Sequence, residues 1–84
     1  MAIIKNGYHG GLMVLVSQLT NKPAEIGDIL ISDGERYQLL GGTAPHKSSS
    51  TGRIYVENLS NGMKAEYFPS VLDLEWQDAP LRPN

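Results

Sequence analysis

The chain has 84 residues, nine glycines, five prolines, no cysteine and a formal net charge of −2. This length supports one core and not two, and the missing cysteine excludes disulfides, thiolate metal sites and cysteine nucleophiles. Seven basic residues scattered from Lys5 to Arg82 form no stripe that would neutralise a phosphate backbone, so a nucleic-acid partner is not expected.

Met1 to Asn6 lacks the charged-then-apolar layout of a secretion signal. The longest apolar run, Leu12 to Val16, is far short of the ~20 residues that span a bilayer. A cytoplasmic protein with no membrane association is expected. Gly7, Gly10 and Gly11 around Tyr8 and His9 read as a loose opening segment. Leu12 to Leu19 follows as a buried strand; at a sheet edge it would instead favour self-association. Thr20 to Pro23 breaks it.

Glu25 to Ile31 reads as a turn leading into a strand. Asp33-Gly34 is a two-residue hairpin signal, Glu35 to Leu39 the returning strand, and Gly41-Gly42 its end. The polar stretch Thr43 to Gly52 reads as a loop. Arg53 to Glu57 and Lys64 to Phe68 then form a hairpin around Asn61-Gly62.

A two-residue loop there would set Glu57 against Glu66, which like-charge repulsion disfavours. A three-residue loop, Ser60 to Gly62, pairs Glu57 with Ala65 and Tyr55 with Tyr67, and gathers Ile54, Val56 and Phe68 on a core face. That second register is predicted. Pro69 to Trp76 reads as a tight turn and a last short strand. Trp76 is expected across an open end of the domain, with Met13 and Met63 as fillers. The domain is assigned to residues 1–76 and a flexible tail to 77–84.

The order of these signals resembles a Src-homology-3-like barrel. The resemblance rests on Glu25-Ile26-Gly27-Asp28-Ile29-Leu30, a long loop, the hairpin at Asn61-Gly62, and Phe68-Pro69-Ser70-Val71. It implies an all-β fold, a small Src-homology-3-like barrel of about five short strands. The family's proline-peptide groove does not carry over, because the A-L-Y-D-Y opening and paired tryptophans are missing. Ala65-Glu66-Tyr67-Phe68-Pro69 with Val71 to Glu75 is also similar to the V-Q-I-Y-P and V-x-x-L-E segments of plasmid-borne type II dihydrofolate reductases. Here Glu66 and Phe68 replace the glutamine and tyrosine of that family, so its activity is not implied. The likeness implies at most a small protein of phage or mobile-element type that works as an oligomer.

Candidate chemistry is confined to two places. The His46–Arg53 loop carries His46, Lys47, three serines and Arg53, a set of hydroxyls and cations that can hold an anion. In the predicted register Tyr55 and Tyr67 lie side by side on the outer face near Arg53, a surface for a partner's side chain. Glu57 and Glu66 face opposite ways in that register. His9 and His46 lack metal-ligand spacing, and no nucleophile–base pair, catalytic residue, metal or cofactor is assigned. The expected function is a non-enzymatic protein-binding module acting through Arg53, Tyr55, Tyr67, His46 and Lys47. The alternative is a small oligomeric enzyme or ligand-binding protein whose pocket forms between subunits of a homo-oligomer.

Overall fold

Seven strands form in two antiparallel sheets in the computed structural model, which describes residues 2–79. They are β1 (Ile4–Asn6), β2 (Leu12–Ser17), β3 (Ile29–Ser32), β4 (Glu35–Thr43), β5 (Arg53–Asn58), β6 (Lys64–Tyr67) and β7 (Leu74–Asp78). One sheet has the order β1-β2-β7 and the other β3-β4-β5-β6. Among the described residues, no continuous ladder closes the two into a barrel. No helix is long and apolar enough to cross a membrane among those residues.

β1 is the strand that the opening segment conceals. Lys5 pairs with Met13, and the glycine-rich reversal is tied by Gly7 N–H donating to Gly11 O at 2.8 Å. His9 is held rather than loose: its Nε2 lies 2.6 Å from Asp78 Oδ1, and its Nδ1 accepts the Gly11 N–H. β2 lies in the middle of its sheet, between β1 and β7, with Met13 to Val16 buried. It is core and not a self-association edge.

The β3–β4 hairpin follows its turn residues. Asp33 and Gly34 both take positive φ, 50° and 77°, which lets a two-residue turn match the twist of its strands. Ser32 therefore faces Glu35, and Leu30 faces Tyr37. β4 does not end at the glycines. It continues through Gly41 and Gly42 to Thr43, with Leu40 as the extra residue of a bulge. Gly42 is needed for packing: a Cβ there would stand 2.7 Å from Arg53 O and 3.1 Å from the Trp76 ring.

The β5–β6 register differs from the predicted one. Glu57 faces Lys64, Val56 faces Ala65, Tyr55 faces Glu66 and Ile54 faces Tyr67. Asn58 is the cause. Its Oδ1 accepts the Ser60 N–H and its carbonyl accepts the Gly62 N–H, so the chain reverses over Leu59–Gly62, one residue more than expected. Glu57 gains an attractive cross-strand partner, Lys64, in place of the predicted Ala65. Gly62 does take positive φ, 72°.

β7 runs to Asp78 and Ala79 N–H still donates to Leu12 O, so residues 77–79 stay with the sheet and do not form a tail; the rest of the tail assignment, 80–84, lies outside the described residues. Leu15 and Leu74 from one sheet and Leu39, Ile54 and Val56 from the other share a single buried cluster with Trp76. Trp76 is thus inside the core, not across an open end. Met13 is buried there, whereas Met63 is exposed at the hairpin tip.

Candidate functional site

The register decides which side chains share a surface. Strand residues alternate between faces, so Tyr67, opposite the buried Ile54, points inward. It packs against the core and meets Tyr37 edge to face, with ring centroids 6.0 Å apart. Burial, then the neighbouring Tyr67, pushes the Tyr37 phenol above its ordinary value. Tyr67 therefore leaves the predicted tyrosine pair, and Phe68 leaves the predicted core.

In place of that pair, three strands present a mixed outer face. Thr43 on β4, Arg53 on β5 and Phe68 just beyond β6 form one row across the sheet. Gly41, Tyr55 and Glu66 form the next, and Gln38, Glu57 and Lys64 the third. Glu57 and Glu66 consequently share a face instead of pointing to opposite sides of the sheet, with Lys64 directly across from Glu57.

Arg53 is the centre of this face. Its guanidinium carbon lies 4.1 Å from the centroid of the Phe68 ring, and one terminal nitrogen donates to Gly52 O at 2.9 Å. Its Nε stands 3.7 Å from Glu66 Oε1. Both charges are partly exposed, so that pair contributes only about 0.2–1 kcal/mol. The stacking and the backbone bond matter more, because they fix a long side chain before any partner arrives. Phe68 is 53% exposed, a large aromatic held at the surface under a cation.

Beside Arg53 lies an open depression of about 320 Å³ bounded by Thr43, His46, Ser50, Gly52, Arg53, Tyr55 and Glu66. Tyr55 OH and Thr43 Oγ1 stand 3.4 Å apart on its wall. His46 is thus brought to the predicted Arg53–Tyr55 surface, while Lys47, though exposed on the same loop, does not line the depression. No family model matches this chain, no curated protein matches it, and no solved structure matches its fold.

The sequence reading missed Glu66, Phe68 and Thr43 as members of the face. Their signal is positional: once Arg53 and Tyr55 point outward, their cross-strand partners must do the same. A second recess, about 300 Å³, has Tyr8, Pro45, Ser50, Pro69 and Trp76 among its walls. Trp76 Nε1 is buried with no hydrogen-bond partner among the described residues. Gly52 covers the edge of the indole that carries it: a Cβ there would come within 2.8 Å of Nε1. No group of three or more His, Asp or Glu side chains able to hold a metal ion is found among the described residues.

Proposed function

We propose that this is a non-enzymatic binding module that engages a protein partner through the outer face of β4, β5 and β6. Arg53, Tyr55 and Phe68 form the contact centre, with His46 and Glu66 at its margin. The observation that carries this reading is the exposed Phe68 ring stacked under a guanidinium held by Gly52 O. Tyrosine, phenylalanine and arginine are enriched at protein interfaces because they bury large area at low entropic cost. Glu66 beside Arg53 makes the face mixed in charge, which favours a protein surface over a polyphosphate.

The finer fold reading belongs with this proposal. A hairpin, a 3-10 turn over Pro69–Leu72 and a last strand returning to β2 follow one another as in a Src-homology-3-like barrel, of which the two sheets would be the halves. A cytoplasmic setting is likewise part of the proposal, resting on the missing cysteine.

The test is affinity capture from native cells with wild type and a Phe68→Ala/Tyr55→Ala variant, both first shown to be folded by circular dichroism. The expected result is at least a tenfold loss of captured partner, about 1.4 kcal/mol in binding. Capture at the wild-type level by the folded variant would overturn the proposal.

A further inference from the structure

Each of the two sheets leaves two edge strands, and three of the four are blunted by charge. β1 carries Lys5, β6 carries Lys64 and Glu66, and β7 carries Glu75 and Asp78. Such residues keep an edge from pairing with another chain. β3 has no charge, no proline and no bulge. Its outward side chains are Ile29, 51% exposed, and Ile31, 68% exposed.

The ladder also fixes which backbone groups are free. In a two-residue hairpin the residues flanking the turn exchange hydrogen bonds, and the pairs then alternate. Ser32 with Glu35 and Leu30 with Tyr37 are the bonded pairs, and Leu39 N–H donating to Asp28 O at 2.9 Å continues the series. Ile29 and Ile31 therefore point their N–H and C=O groups away from β4. They face a recess of about 340 Å³ that also touches Leu19, Pro23 and Leu72, so the edge is open to approach.

We infer that β3 pairs antiparallel with β3 of a second copy of this chain, joining the two four-stranded sheets edge to edge about a two-fold axis. One register suits this strand. With Leu30 facing Leu30 of the partner subunit on the axis, Ile29 of each copy faces Ile31 of the other. These are the residues with free backbone groups, so each such pair exchanges two hydrogen bonds and stacks two β-branched side chains. Asp28 then faces a serine and Asp33 a glycine, and no acid opposes an acid. A register centred on Ile31 would instead set Ile29 against Asp33, and one centred on Ile29 would set Ile31 against Gly27. The strand is thus complementary to itself in hydrogen bonding, shape and charge.

The pairing segment is short, so the interface is smaller than the roughly 800 Å² per partner of a stable complex, and the dimer is concentration-dependent. Sedimentation equilibrium of the full chain is expected to show monomer passing to dimer with a dissociation constant on the order of 100 micromolar. Ile31→Lys places a charge on the edge and is expected to stay monomeric throughout that range; its exposure makes the substitution compatible with folding. Amide hydrogen exchange on wild type gives an independent readout. Exchange at Ile29 and Ile31 should slow as concentration rises, while that at Leu30 and Ser32, already bonded to β4, should not change. A wild type that stays monomeric overturns the inference, as does a dimer that survives Ile31→Lys or leaves the Ile29 and Ile31 amides unprotected. The partner-binding reading stands apart from this result, because Ile31→Lys leaves the Arg53–Phe68 face intact.

Discussion

Gly34 and Gly52 have nearly the same backbone angle, φ 77° and 78°, and entirely different surroundings. At Gly34 a Cβ would meet nothing within 4 Å. Alanine there bears only the cost of a left-handed conformation, about 1–2 kcal/mol. At Gly52 the same Cβ would stand 2.6 Å from Thr43 O and 2.7 Å from Trp76 Cδ1. Overpacking of a closed site adds about 1–3 kcal/mol. Gly52→Ala is therefore expected to cost about 2–5 kcal/mol, clearly more than Gly34→Ala. Urea midpoints at constant slope would measure both. Equal losses would show that the loop can lift from Trp76 without penalty. Because Gly52 O also accepts the Arg53 bond, the costlier substitution should disturb the proposed contact face as well.

Among the elements, the β5–β6 hairpin shows how one side chain sets a register. Asn58 starts the reversal through Ser60 N–H, and its Nδ2 reaches Glu35 Oε2 at 3.3 Å. Asn58→Ala is expected to lower stability by about 1 kcal/mol, the net worth of a partly exposed hydrogen bond. Asn58→Ser keeps an oxygen that can take the Ser60 N–H and should recover part of the loss. A thermal melt of the three proteins checks this, and an Asn58→Ala variant as stable as wild type would remove Asn58 from its assigned role. The same residue explains what the sequence left illegible. The Asp33-Gly34 hairpin could be read because its whole determinant sits in the turn. Asn61-Gly62 looked equally complete, yet the reversal begins at Asn58, and a one-residue shift exchanges the two faces of β6. Tyr67 and Phe68 changed places for that reason alone. Arg53, Tyr55 and His46 were legible as a surface because β5 alternates cleanly and the loop is polar. β4 could not be followed through Gly41-Gly42, since Gly42 answers to Trp76, a residue distant in the chain.

At the scale of the molecule, the two sheets have no separate interiors. Leu15, Leu74 and Trp76 from the three-stranded sheet lie in one cluster with Leu39, Ile54 and Val56 from the four-stranded sheet. Among the described residues, no polar or charged residue is buried. Neither sheet alone can cover its apolar face, so opening one exposes the other, and a chain of this length has little stability to spare. Unfolding should therefore be a single cooperative transition. Trp76, the sole tryptophan, reports on it directly: it sits on β7 against Gly42 and Gly52, at the seam between the two sheets. Its emission should shift to the red at the same urea concentration at which far-ultraviolet dichroism loses the strands. Coincident curves would establish one folding unit. An earlier emission change would mean that β7 and its sheet detach while the β3–β6 sheet persists, and the shared core would then be a docked interface rather than a common interior.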